Sequence, residues 1–215
     1  MKLRNPLNIE NYHPLMGICE IVVFDLETTG LRAKTNEITQ IAAARIGGLG
    51  MNTENTFSTF VNPGMPIPEL AQQITHISDE NVKDAPPPLT ALQKLCSFSE
   101  QAVLFGHDVY RFDFKFINKH LHEDNTPTKE IHFIDTMDIF QILWPDFSRL
   151  DHGLDEIADR LNVSIANDLR HRADGDVELL TRIFHRIQAD DRLESITQHV
   201  PVHTGELPCF DPSLN

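Results

Sequence analysis

The chain has 215 residues, 40% of them hydrophobic, enough for one domain with a real core. That excludes a short disulfide-stapled peptide and a wholly disordered chain. The formal net charge of −14 excludes a protein that wraps long duplex, which needs a basic footprint.

A few phosphates at a chain end are still within reach of such a protein, particularly where cations cover carboxylates. The first twenty residues hold no apolar segment of the secretory kind. No apolar run is long enough to span a bilayer. A cytoplasmic location without a membrane partner is therefore expected. Cys19, Cys96 and Cys209 are scattered, show no metal-ligand spacing, and are expected as three reduced thiols.

Residues 1–18 read as an irregular N-terminal arm and residues 19–189 as one domain. Residues 190–215, with Asp190-Asp191, Gly205 and three prolines, read as a polar tail. Within the domain, Glu20–Glu27 is apolar on both parities, as a strand covered on both faces should be. Strands are also predicted over Ile38–Ile46 and Thr56–Val61, the latter running into the turn signal Asn62-Pro63-Gly64. Helices are predicted at 69–75, 89–99, 112–122, 136–143, 153–161 and 173–188. Short strands fall between them at Ala102–Gly106 and His132–Ile134. Strands first, then strands alternating with helices, point to an α/β domain with a mixed sheet.

Acidic residues stand at positions the pattern marks as inward-facing. Asp25 and Glu27 share a strand face with Ile21 and Val23, roughly 6.6 Å apart along the strand. Asp113 heads the stripe Phe116, Ile117, His120 and Leu121. Asp176 heads Leu179, Leu180, Ile183 and Ile187. A buried carboxylate is costly without a partner. Singly, each suits a helix N-terminus or an arginine partner. Together, four oxygen donors suit a hard cation, Mg²⁺ or Mn²⁺. His171, five residues before Asp176, suits proton removal from water near neutral pH.

Asp25-Leu26-Glu27-Thr28-Thr29-Gly30, Phe112-Asp113-Phe114-Lys115-Phe116-Ile117 and His171-Arg172-Ala173-Asp174-Gly175-Asp176 carry a resemblance. They are similar to the three motifs of the DEDD exonuclease superfamily in its histidine subtype. That subtype includes the proofreading subunit of bacterial DNA polymerase III and ribonuclease T. Supporting matches are Glu37–Ala42, Thr75–Ser78, Ile134-Asp135-Thr136 and Gly153–Ala158. The tyrosine subtype would place Tyr where Arg172 stands. The second motif departs from the family pattern H-N-x-x-F-D. Here His107–Asp113 is one residue longer, with Asp108 in place of Asn. That change bears on the loop's contact with substrate and offers Asp108 as a stray metal ligand.

The resemblance implies a ribonuclease H-like fold, a mixed five-stranded sheet flanked by helices. It implies two divalent cations, Mg²⁺ or Mn²⁺, on Asp25, Glu27, Asp113 and Asp176, with His171 as the base. The expected activity is 3′→5′ exonucleolytic release of nucleoside 5′-monophosphates from single-stranded ends, DNA before RNA. Thr28, Leu31 and His76 are expected at the terminal nucleotide. The Thr28 hydroxyl equally suits capping a turn, and Tyr110 and Phe112 suit either base stacking or core. The alternatives are an RNA-trimming exoribonuclease, or an exonuclease-like partner-binding subunit of a polymerase complex. The 25 residues after Asp190 are enough for a short docking segment.

Overall fold

A computed structural model describes residues 13–17, 19–47, 50–121, 126–146, 148, 153–165 and 171–210. Three strands come first: β1 (Glu20–Thr28), β2 (Ile38–Gly47) and β3 (Gly50–Phe60). Helices α1 (Glu69–Thr75), α2 (Asp79–Val82) and α3 (Pro88–Phe98) lead to β4 (Ala102–Gly106). Then come α4 (Asp113–Lys119), β5 (Thr128–Asp135), α5 (Thr136–Leu143), α6 (Leu154–Leu161) and α7 (Ala173–Gln188). Last are α8 (Leu193–His199) and β6 (His203–Pro208).

The sheet runs β3-β2-β1-β4-β5-β6. β1, β4 and β5 are parallel, while β2, β3 and β6 run antiparallel to their neighbours. The expected mixed α/β sheet is present, with one strand more than the five expected. β1 and β4 lie at its centre, which explains their apolar residues on both parities. Ile21 and Val23 face α7, against Leu180, Ile183 and Ile187. Val22 and Phe24 face the opposite layer, against Leu92 and Leu95 of α3 and Phe116 of α4.

The expected polar tail is corrected. From Leu193 the chain forms α8, which buries Ile196, and then β6, which pairs with β5 from Thr128↔Pro208 to Phe133↔His203. β6 is short, polar and at a sheet edge, where alternation is weak and charged or polar residues are the rule. Gly205 lets it cross the Phe114 ring, since an added Cβ would fall 2.4 Å from that ring. Of the expected N-terminal arm, residues 1–12 and 18 lie outside the described residues. Pro14–Met16 forms a 3-10 turn that buries Leu15.

The expectation of three reduced thiols is also corrected. β6 carries Cys209 to α3, where it forms a disulfide with Cys96, the Cα atoms 5.8 Å apart. Gln93 Nε2 donates to the Cys209 carbonyl at 3.1 Å on the same seam. The crosslink spans 113 residues of sequence and restricts the unfolded chain accordingly. Cys19 stays free, its thiol pushed up to about 11, mainly by burial.

Candidate active site

Strand alternation puts Asp25 and Glu27 on one face of β1, both half-buried. Asp176 projects from the first turn of α7 and is buried. Carboxylate oxygens of all three lie within 4.8 Å of one another. Two elements from distant stretches of sequence thus bring three like charges together. Such a group is stable as anions only where positive charge joins it, and its all-oxygen donors fit a hard divalent cation. A shift in the β1–β2 register between Glu27 and Thr28 marks the strand end beside the acids.

Gln40 faces Glu27 across the β1–β2 ladder. Its Oε1 accepts from the Ala173 backbone N–H at 3.2 Å, and its Nε2 donates to Ser58 Oγ at 3.3 Å. This amide fastens the N-terminus of α7, and hence Asp176, to the sheet. Sequence reasoning noted Gln40 only inside a supporting match. The available signal was a polar residue within an apolar strand.

Asp113 is not a member of the three-acid group, although it is the first residue of α4 and only 4% exposed. Burial pushes its carboxyl well above the ordinary range, and Asp135, Asp108 and Glu27 add to the shift. An acid raised in the fold destabilises the native state above its raised pKa. The penalty fades as pH falls toward the ordinary carboxylate value. Asp113→Asn is therefore expected to raise the melting temperature of metal-free protein by a few degrees, at about 2–4 °C per kcal/mol for this size. The gain should shrink between about pH 8 and about pH 4. With Mn²⁺ added, the parent should gain more than the variant, which thermal melts at both pH values would show.

Asp135, buried at the end of β5, was noted in the sequence only as part of a supporting match. Its Oδ1 accepts from Met137 N–H at 2.9 Å, capping α5, and its Oδ2 accepts from Tyr110 N–H at 3.1 Å. Burial pushes this carboxyl up as well, opposed by those two N–H groups. His107 Nδ1 meets Thr136 Oγ1 at 2.8 Å. The 107–112 loop is thereby pinned to the β5–α5 corner. Asp108 adopts a left-handed φ of 53°, a conformation aspartate tolerates, and this turn lies within the lengthened second motif.

A second buried polar cluster holds the far end of α4. Glu37 accepts from His120 Nε2 at 2.9 Å and from Lys119 Nζ at 2.7 Å. Glu37 N–H donates to Thr29 Oγ1 at 3.0 Å. The turn after β1 and the helix bearing Asp113 are therefore tied together.

The remaining expected residues divide. Leu31 is 83% exposed just beyond β1, and an isolated apolar side chain there is free for contact. His76 is exposed at the C-terminus of α1 with a left-handed φ of 57°. The buried Thr28 hydroxyl donates to the Gly30 carbonyl at 3.0 Å, so it serves the turn. His171 is exposed with a left-handed φ of 60°, next to the start of α7. It does not belong to the three-acid group.

Comparison with known proteins gives consistent results. Residues 22–184 match a family model described as RNase_T, exonuclease. The chain is 36% identical over 162 residues to the PolC-type DNA polymerase III of Streptococcus thermophilus strain LMD-9, covering 75% of this chain. It spans only 11% of that polymerase. Among solved structures, exonuclease X in complex with 5′-overhanging duplex DNA superposes with a TM-score of 0.60 at 19% identity. That superposition covers 82% of this chain and 99% of the other. A 3′-exonuclease recognising the histone mRNA stem-loop gives a TM-score of 0.66 at 14% identity, covering 96% and 76%.

Proposed function

The chain belongs to the exonuclease family whose model matches residues 22–184, and from that premise we propose that it is a two-metal 3′→5′ exonuclease acting on single-stranded DNA ends. The observation that carries the proposal is the convergence of Asp25, Glu27 and Asp176, with Asp113 buried at the start of α4. These four carboxylates would hold the two divalent cations. Bound there, Mg²⁺ or Mn²⁺ would stabilise charge on the attacking and leaving oxygens.

The protein's own residues do the rest. His171 takes the proton of the attacking water on an imidazole nitrogen. Gln40 fixes the helix that carries Asp176. Leu31 and His76 hold the terminal nucleoside. Exposed Arg111 and Lys115 supply positive charge for phosphates.

DNA is favoured over RNA because relatives at 33–36% identity are DNA polymerases. Those relatives also favour a second reading, a subunit or module working within a polymerase complex. The greater part of the expected docking segment, residues 193–208, is instead folded as α8 and β6. The expected cytoplasmic location rests on sequence. Among the described residues no helix is long and apolar enough to cross a membrane. The Cys96–Cys209 disulfide weighs against a reducing compartment.

Single-stranded DNA and RNA labelled at the 3′ end, offered side by side with Mg²⁺, Mn²⁺ or EDTA, test the proposal. The expected result is metal-dependent release of labelled nucleoside 5′-monophosphate, faster from DNA. Internal fragments, or release indifferent to EDTA, would overturn it.

A further inference from the structure

Four rings stand in one column. Phe114 and Phe133 lie 4.6 Å apart, Phe133 and His203 5.0 Å, and His203 and Tyr110 5.9 Å. The successive interplanar angles are 26°, 23° and 28°, within the range of stacked rings. The column begins in the core and ends at Tyr110, which is 66% exposed.

Both outer rings are held from behind. His203 Nε2 meets Asp138 Oδ2 at 2.7 Å. The Tyr110 backbone is fixed by Asp135, as described above. A large exposed aromatic is informative where the fold spends several contacts on placing it. Tyr110 sits three residues before Asp113, on the loop that leads into α4. Arg111 beside it and Lys115 in the first turn of α4 are both exposed. β6, which supplies the His203 backing, lies three strands from β1, roughly 14 Å between the strand axes. A flat exposed ring flanked by cations, three residues from Asp113, has the features of a single-strand stacking platform.

We infer that Tyr110 is a stacking shelf for a base of the substrate strand upstream of its 3′ end, with His203 and Asp138 as positioning residues behind it. The inference rests on the exonuclease reading above. Two substrates separate them: a single-stranded DNA oligonucleotide, and the p-nitrophenyl ester of thymidine 5′-monophosphate, which is too short to reach the shelf.

Tyr110→Ala should raise KM for the oligonucleotide by about 5- to 150-fold, the range of one lost base stack. Its kcat, and the kinetics on the ester, should change by less than twofold. Tyr110→Phe, which keeps the ring, should restore the oligonucleotide KM. His203→Ala should raise that KM in the same direction and spare the ester. An unchanged oligonucleotide KM in Tyr110→Ala, or equal losses on both substrates, would overturn the shelf while leaving the exonuclease reading standing. A parent enzyme that cleaves neither substrate would refute that reading and the shelf with it.

Discussion

Asp25→Ala is expected to abolish hydrolysis while the protein stays folded. Asp25 lies on the central strand, half-buried, with Ala42 opposite it across the ladder, so the smaller side chain leaves the core untouched. Its oxygen is one of three within 4.8 Å, and removing it takes away a donor from the proposed cation site. Cations in such a site supply several kcal/mol of transition-state stabilisation, so the loss should reach at least about 10³-fold in kcat. The same change relieves repulsion from Glu27 and Asp176, so the melting temperature of metal-free protein should hold or rise. Rates and melts on one preparation check both halves. Turnover equal to the parent's would end the assignment of Asp25 to the cation site.

His171→Ala should cost roughly 10²–10⁴-fold in kcat, the usual worth of a general base. The structure makes this variant unusually clean. His171 is exposed, packs into neither core, and precedes α7 rather than belonging to it. Folding and Mn²⁺ affinity should therefore match the parent, unlike those of Asp25→Ala. Activity within twofold of the parent would remove His171 from the mechanism. Weakened Mn²⁺ binding would instead reassign it as a ligand.

Much of the frame could be read before any coordinates. The both-parity apolar run of β1 and the helical stripes of α5 and α7 are strong patterns because the packed layers bury them almost fully. The predicted 112–122 helix was too long: α4 ends at Lys119, yet His120 and Leu121 are buried beyond it. The His120 N–H caps α4 on the Ile117 carbonyl at 3.0 Å and its ring is held by Glu37, so the stripe outran the helix. Strand β6 escaped because an edge strand of six mostly polar residues carries almost no alternation signal. Its consequences escaped too: the disulfide to Cys96, set by a contact across 113 residues, and the His203 ring behind Tyr110.

At the site, motif spacing identified Asp25, Glu27 and Asp176, which the fold brings together. Spacing could not show that Asp113 sits outside that group, nor that Asp135 and Gln40 hold the elements around it. Those facts depend on where a loop and a helix terminus land on the sheet, and local sequence does not encode them. The Thr28 hydroxyl illustrates the same limit. Its chemistry suits both a substrate and a turn, and only the fold directs it to the Gly30 carbonyl.

Anomalous diffraction at the manganese edge, from crystals soaked in Mn²⁺ with a nucleoside 5′-monophosphate, tests the central claim most directly. Two peaks within coordination distance of the Asp25, Glu27, Asp113 and Asp176 oxygens are the predicted result. Carboxylates turned away from one another, with no peak between them, would contradict it.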